Sequence, residues 1–323
     1  MKTLTGLSLL LVVLLVSLSA YLRLSHSGIG CLDWPQCYGL IGQAVEPASS
    51  SANQESYQQI IESQSKPLAW ATPLHRLVAS VLGLLVLFLT FLSIRQKRYR
   101  LVSICLLLIT AGLAVLGIRS GSLHDPAVVM GNLLGGFFML ALLGWLWFDM
   151  AKSKSALQPP GMLTMLAPLA ILMLFLQITI GGFTSANFAA TSCRTIPDCH
   201  GSWWPGPDLA KALNLDRTHE VTASGLAVGG GERIAIHKAH RIGAILSSLA
   251  ILLASIMALR LPGTMRRTGF IVATLLILEF AVGVASVLKD LPIVLAVAHN
   301  WLAALLLLSL LKLSSLVKSS GQS

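Results

Sequence analysis

Residues 74–94 read LHRLVASVLGLLVLFLTFLSI, an apolar run with His75 and Arg76 near its start and no charged residue after them. A helix of this length rises about 30 Å, the thickness of the hydrocarbon layer of a bilayer. Seven further runs share this character, so the sequence predicts an all-α integral membrane protein with eight transmembrane helices. The predicted spans are residues 4–22, 74–94, 101–118, 127–149, 162–182, 235–259, 268–287 and 293–315.

The composition of the whole chain also indicates a membrane protein. Of 323 residues, 55% are hydrophobic and 11% are charged, against roughly 25% charged in an ordinary soluble domain. Lipid must therefore cover part of the apolar surface. A net charge of +10 is also seen in nucleic-acid-binding proteins. Here, however, most basic residues lie in short segments between apolar runs, which is how membrane topology is encoded. We expect no nucleic-acid partner.

The first apolar run has a second interpretation as a signal peptide, because Lys2 precedes it and the small residues Ser17, Ser19 and Ala20 end it. Its removal would leave seven spans and break the internal repeat described below. We therefore predict that it is a retained transmembrane span.

The basic residues predict the orientation of the spans. Those at the termini and after the even-numbered spans all fall on one side, which should be cytoplasmic. They are Lys2, Arg95, Lys97, Arg98, Arg100, Lys152, Lys154, Arg260, Arg266, Arg267 and Lys318. Both termini are then cytoplasmic, and two long loops, residues 23–70 and 183–233, face outward.

Each outer loop contains one copy of a cysteine motif, CLDWPQCYG at residues 31–39 and CRTIPDCHG at residues 193–201. Both copies have a proline four residues after the first cysteine and a glycine two residues after the second. The candidate disulfides are Cys31–Cys37 and Cys193–Cys199. Three interpretations stay open: a structural clip, a redox-active pair, and zinc bound by all four cysteines.

The doubled motif predicts a doubled chain. A His-Arg pair opens the span after each motif: His75 lies 44 residues after Cys31, and His240 lies 47 residues after Cys193. The chain is therefore predicted to consist of two four-helix halves, residues 1–155 and 160–323, packed about an axis along the membrane normal. A transporter is an alternative suggested by the repeat alone. However, no span shows the mid-membrane Gly/Pro interruption typical of such proteins.

Histidines inside spans are costly and indicate function. His240 and His299 are predicted near the outer ends of their spans, at similar depth. Opposed imidazoles in apolar surroundings can bind a haem iron from both sides, and Arg241 could pair with a haem propionate. The alternative is that each histidine only hydrogen-bonds a neighbouring helix. His237, one turn outward of His240, is either a partner of this site or an interfacial residue.

Four segments resemble the haem A synthase family of cytochrome oxidase assembly proteins. They are RLSHSGIGCLDWPQCYG at residues 23–39, GFTSANFAA at residues 182–190, WWP at residues 203–205 and IHKAHR at residues 236–241. The resemblance runs from about Val13 to the last span. It implies two pseudo-symmetric four-helix bundles in a bacterial inner membrane.

The resemblance also implies the chemistry. The family oxidises a porphyrin methyl group of haem O to the formyl group of haem A, with a haem B cofactor in the second half on His240 and His299. His75 carries over as a ligand of the substrate haem. Cys31 and Cys37 match cysteines that assist the reaction, whereas Cys193 and Cys199 match a structural pair.

Two residues of the first half depart from the family pattern. Thr72 replaces a glutamate three residues before His75, and with Pro73 it is predicted to cap the helix. Asn132 replaces a histidine after Pro-x-Val-Val. Because an amide is a poor iron ligand, a haem in this half would be five-coordinate on His75 or held by another group. In the second half, Glu279 is the one acid deep in a span. Either it is protonated and hydrogen-bonds a neighbouring helix, or it assists a haem propionate or a proton path.

These observations give a leading and an alternative function. The leading one is a membrane haem A synthase that takes haem O as substrate, with a haem O synthase as a candidate partner. The alternative is a non-catalytic haem-binding protein of oxidase assembly or haem handling. Membrane lipid surrounds either protein, and a homo-oligomer is compatible with both.

Overall fold

A computed structural model describes residues 1–24, 70–119, 126–151, 160–193, 195–216 and 230–320. The predictions for Cys31, Cys37 and the disulfide between them lie outside these residues. The described residues form helices α1 (Lys2–Leu24), α2 (Ala71–Arg95), α3 (Arg100–Arg119), α4 (Pro126–Met150), α5 (Gly161–Ala186), α6 (Leu209–Ala212), α7 (Gly231–Leu259), α8 (Gly263–Leu288) and α9 (Ile293–Ser320).

The predicted all-α membrane fold is confirmed. Every helix except the short α6 is long and apolar enough to cross a membrane, which gives eight candidate spans. Each predicted span lies within one of these helices, and the helices extend it by a few residues at one or both ends. Within the described ranges the chain forms no strand.

One local prediction was wrong. Helix α2 begins at Ala71 and Trp70 occupies its N-cap position, so Thr72 does not cap it. The first helical hydrogen bond runs from the Leu74 amide to the Trp70 carbonyl at 3.0 Å. Pro73 therefore lies in the first turn, where its missing N–H costs nothing because amides there have no helical acceptor.

The helices contact one another in two closed rings. In the first half, α1 packs on α2, α2 on α3, α3 on α4, and α4 on α1. In the second half, α5 packs on α7, α7 on α8, α8 on α9, and α9 on α5. Within each ring, the second and fourth spans lie at opposite corners. This is the pattern that two four-helix halves would give, although the division at residues 155 and 160 itself stays a prediction.

The rings share an interface formed by α1 and α4 on one side and α5 and α9 on the other. Its centre is the contact of α4 with α9, where Leu143, Leu146, Leu306 and Leu307 are fully buried. Gly144 of α4 lets the two helices approach, since a Cβ there would lie 2.6 Å from Leu308 Cδ2. The eight helices bury a core between them. Their outward surfaces are apolar, as contact with the hydrocarbon of a bilayer requires.

A polar cluster joins the end of α4 to the turn before α3. Tyr99 donates from its hydroxyl to Asp149 Oδ2 at 2.7 Å and accepts from Arg98 Nη2 at 2.7 Å. Burial and the hydrogen bond to Asp149 raise the pKa of the Tyr99 phenol above its ordinary value. This cluster lies at the end of the bundle that the basic residues predict to be cytoplasmic.

Candidate functional site

The structure brings His240 of α7 and His299 of α9 together across the second ring. Their ring centroids lie 6.4 Å apart and the ring planes are almost perpendicular, at 85°. Two imidazoles that bind one metal ion from opposite sides through bonds of about 2 Å have centroids about 6 Å apart. The distance between these rings is therefore right for an iron held by both.

His299 is held by two residues of α8. Its Nδ1 lies 3.2 Å from Glu279 Oε1 and 3.3 Å from the Glu279 carbonyl oxygen, both on α8. Gly283, one turn along α8, lies against the same ring, and a Cβ there would come within 3.0 Å of His299 Cε1. Glu279 thus contacts the neighbouring helix α9 through His299, and its protonation state and any part in a propionate contact or proton path stay predictions.

His240 is held in the same manner by α5. Its Nδ1 lies 3.0 Å from Gln177 Nε2, which also lies 3.0 Å from the His240 carbonyl oxygen. Gly181, one turn along α5, lies against the ring, and a Cβ there would come within 3.1 Å of His240 Cε1. Gln177 was missed by the sequence reasoning, although a lone amide inside a span is a signal that could have found it.

The residues present fit a bis-histidine haem. In each ring Nδ1 has a polar neighbour, which leaves Nε2 as the ligand nitrogen, and such a neighbour fixes the orientation of a metal-binding imidazole. The two glycines clear the space beside the rings.

Arg241 follows His240 in the chain, and its guanidinium donates hydrogen bonds to backbone carbonyls. It donates from Nη1 to the carbonyls of Thr195 at 2.7 Å and Asp198 at 2.8 Å, and from Nη2 to the carbonyl of Cys193 at 2.7 Å. Arg241 thus ties the loop of the second cysteine motif to α7. Its pairing with a haem propionate stays a prediction.

Two further residues of α7 fasten the same loop. Arg233 donates to the carbonyl of Phe188, and His237 Nδ1 lies 2.9 Å from the carbonyl oxygen of Ala189. Arg233, His237 and Arg241 are spaced four residues apart and so share one helix face. Of the two interpretations of His237, partner or interfacial residue, its contacts make it a loop anchor.

The loop that they anchor contains the predicted disulfide. Cys193 and Cys199 are bonded, with their Cα atoms 5.1 Å apart, and both side chains are almost fully buried. A bonded pair has no thiolates to offer a zinc ion. Among the described residues, no group of three or more His, Cys, Asp or Glu side chains is placed to hold a metal ion. The burial favours a structural clip over an exposed, easily reduced pair.

In the first half, the two positions that correspond to His240 and His299 lie on the second and fourth spans of the first ring. His75 lies on the second turn of α2 and Asn132 on the second turn of α4, and both side chains are partly buried. The helix between them, α3, packs on α4 through leucines. A Cβ on Gly131 would meet Leu116 Cδ1 at 2.6 Å, and one on Gly135 would meet Leu113 Cδ2 at 2.7 Å. The α3 surface here is therefore apolar, whereas α8 offers Glu279.

Comparison with known proteins gives a consistent result. A family model described as Cytochrome oxidase assembly protein matches residues 2–311. A protein of Shewanella oneidensis named Heme A synthase is 34% identical over 98% of this chain and 97% of its own length. Proteins of the same name from Neorickettsia sennetsu and Rhizorhabdus wittichii are each 24% identical, over 95% and 93% of this chain and 95% and 89% of their own lengths.

Proposed function

Because this chain belongs to the cytochrome oxidase assembly protein family, we propose that it is a haem A synthase. It is a membrane oxidoreductase that converts a methyl group of haem O to the formyl group of haem A for oxidase biogenesis. The observation that carries the proposal is the pairing of His240 with His299, in a chain similar along 98% of its length to a protein named Heme A synthase.

The second half, residues 160–323, holds a haem B cofactor. His240 and His299 would hold it, each through Nε2, because each Nδ1 faces a polar side chain on the neighbouring helix. When bound there, haem B supplies electron transfer to or from the substrate half. The disulfide loop lies at the outer end of this site, where the anchors on α7 fix it. Arg241 is the candidate partner of a haem propionate.

The first half, residues 1–155, holds the substrate. His75 is the candidate ligand of the haem O iron, and Cys31 and Cys37 are the candidate assisting pair. With Asn132 at the opposite corner, His75 is the one imidazole that we assign to this iron. A free iron position suits oxidative chemistry, and a substrate has to leave after reaction, which a single protein ligand favours.

The protein belongs in a bacterial inner membrane with both termini in the cytoplasm. The supporting observation is the set of basic residues in the turns after even-numbered spans, such as Lys97, Arg98 and Arg260. Haem O is strongly apolar, so its transfer within the membrane from a haem O synthase is the natural supply. Lipid surrounds the eight helices.

A second function is favoured by one observation. Asn132 stands where the resemblance calls for a histidine, so the first half could lack activity. The chain would then be a non-catalytic haem-binding protein of oxidase assembly or haem handling.

The test is co-expression with a haem O-producing enzyme in a host that lacks haem A, followed by extraction and reverse-phase separation of the membrane haems. We expect haem A or its hydroxylated precursor with the wild-type chain and neither with His75→Ala. Only haem B and unconverted haem O, from a folded and haem-loaded protein, would favour the non-catalytic function.

A further inference from the structure

We propose that Gln177 and Glu279 are matched positioning residues that orient the two axial imidazoles of the cofactor haem. Each acts together with a glycine four residues later on the same helix. The inference rests on the proposed function, because it assigns partners to the histidines that hold haem B.

The two helices that flank the histidines present the same arrangement. On α5, Gln177 is followed after four residues by Gly181, and on α8, Glu279 is followed after four residues by Gly283. Residues four apart lie on the same face of a helix. In both cases the polar residue contacts Nδ1 of the histidine on the next helix and the glycine lies against Cε1 of the same ring. Each imidazole is thus held by one polar side chain and one glycine, and we call such a pair a cradle. The two cradles are equivalent and lie on helices at opposite corners of the ring.

The glycines set how closely each ring can approach its helix. A Cβ would stand 3.1 Å from His240 Cε1 at Gly181 and 3.0 Å from His299 Cε1 at Gly283. Contacts this short would push either ring toward its partner or turn it about its axis. Any larger side chain at these positions would therefore change the angle between the ring planes, which is 85° in this structure.

The Gln177 amide can serve His240 in two orientations. As placed, the NH₂ group faces Nδ1, and Oε1 is buried without a hydrogen-bond partner among the described residues. Amide oxygen and nitrogen are assigned from the surrounding hydrogen bonds and are interchangeable by a half turn. That turn brings Oε1 to Nδ1 as an acceptor, and the amide must also move off the His240 carbonyl oxygen, to which Nε2 donates at 3.0 Å as placed. Nδ1 then carries the proton and Nε2 is free for iron, so the turned amide is the haem-loaded arrangement.

The two cradles differ in the strength of their acceptors. Gln177 offers a neutral amide oxygen to His240, whereas Glu279 offers a carboxyl oxygen to His299. A carboxylate is the stronger acceptor and makes its imidazole the better donor to ferric iron. His299 is therefore the more electron-rich ligand, and Glu279 favours the oxidised haem.

The first half contains no counterpart on α1. When the two halves are aligned with Cys31 matched to Cys193, Leu15 and Ser19 of α1 match Gln177 and Gly181 of α5. A requirement of helix packing alone would apply to both halves. Because α5 has this polar cradle and α1 does not, we attribute the cradle to the cofactor histidine that it contacts.

The experiment compares purified full-length variants with their bound haem, using the electron paramagnetic resonance spectrum of the ferric haem and its midpoint potential. Near-perpendicular axial imidazoles give a strongly anisotropic low-spin signal, and the potential reports ligand donation. The variants are Gln177→Leu, Glu279→Leu, Gln177→Glu and Glu279→Gln. Thr179→Val is the matched control on α5, because among the described residues its hydroxyl donates to the carbonyl of Phe175 on its own helix.

We expect both leucine variants to lose or alter the low-spin signal and the control to keep it. Glu279→Gln retains an acceptor and should keep the signal. Its potential should rise by about 59 mV, which corresponds to a tenfold change in the relative affinity for ferric and ferrous haem. Gln177→Glu should lower the potential. If a leucine variant fails to fold, these two conservative variants still test the inference.

The inference is overturned if all four variants keep the wild-type signal and potential. Failure of the proposed function looks different: the wild-type protein itself would then show no signal from a haem with two histidine ligands, and His240→Ala would not change its haem content.

Discussion

Arg23 of α1 donates from Nε to Ser185 Oγ of α5 at 3.0 Å, and the two residues occupy equivalent positions in the repeat. Arg23 lies eight residues before Cys31, and Ser185 lies eight residues before Cys193. Equivalent residues of a two-fold repeat can touch only close to the axis that relates them. If the two halves are related by the predicted pseudo-two-fold axis, this contact puts that axis between the C-terminal ends of α1 and α5.

This contact should couple the two halves. A hydrogen bond between membrane helices contributes about 0.6 kcal/mol on average and up to about 1.7 kcal/mol. A double-mutant cycle with Arg23→Leu and Ser185→Ala, measured by thermal unfolding in detergent, should give a coupling energy of about 1 kcal/mol. Additive effects of the two substitutions would show that the contact contributes nothing to the interface.

The anchoring of the disulfide loop by Arg241 should decide whether the Cys193–Cys199 bond can be reduced in the folded protein. Three carbonyls of the loop accept hydrogen bonds from this one guanidinium, and both cysteines are buried. We expect the wild-type bond to resist a mild reductant and the Arg241→Ala bond to be reduced. The measurement is alkylation of the native protein followed by mass spectrometry of the peptide containing both cysteines.

Two further variants control for charge in that experiment. Arg241→Lys keeps the charge but cannot reach three carbonyls, so it should give intermediate alkylation. Lys211→Ala removes an exposed cation whose Nζ lies 3.9 Å from Glu232 Oε2 and should behave as wild type. Equal alkylation of wild type and Arg241→Ala would contradict the anchoring role.

Much of the fold could be predicted because lipid imposes a simple rule on sequence. A helix in hydrocarbon satisfies its own backbone hydrogen bonds, so length and hydropathy alone locate each span. The start of α2 was placed wrongly because Thr72 and Pro73 are favourable at more than one position of a first turn. The end of a helix depends on local contacts that hydropathy does not report.

The site could be predicted only in part. His240 and His299 were paired because helices entering from one face put residues at equal depth. Gln177 was missed, and the contact of Glu279 with His299 stayed one alternative among others, since the rotation of neighbouring helices is set by packing that the sequence does not display. The same holds for Arg241, whose spacing from His237 was visible but whose acceptors depend on the path of the loop.

The hairpin of α7 and α8 should be sensitive to a single methyl group at Gly269. A Cβ there would lie 2.9 Å from Ala258 Cβ and 3.1 Å from the Leu259 backbone nitrogen. The Gly269 carbonyl also accepts a 2.7 Å hydrogen bond from Ser255 Oγ. Gly269→Ala should therefore cost about 1–3 kcal/mol in unfolding free energy, because backbone cannot give way as a side chain can.

Thermal unfolding in detergent measures this effect, with Gly112→Ala in α3 as the matched control. A Cβ on Gly112 would meet nothing within 4 Å, so this variant should unfold at or above the wild-type temperature. An equal response of the two variants would refute the close packing of α7 on α8.

Asn132→His should distinguish an active first half from an inactive one. If the first half is active with His75 alone, a second imidazole at the opposite corner restores the family pattern but adds nothing that the reaction lacks. We then expect haem A formation in the co-expression assay to stay within about twofold of wild type, with a new low-spin absorption from the first-half haem. The matched variant Asn132→Gln keeps an amide and should retain activity. A gain of product in Asn132→His, especially together with Thr72→Glu, would show instead that the natural chain has lost a working site and would favour the non-catalytic function.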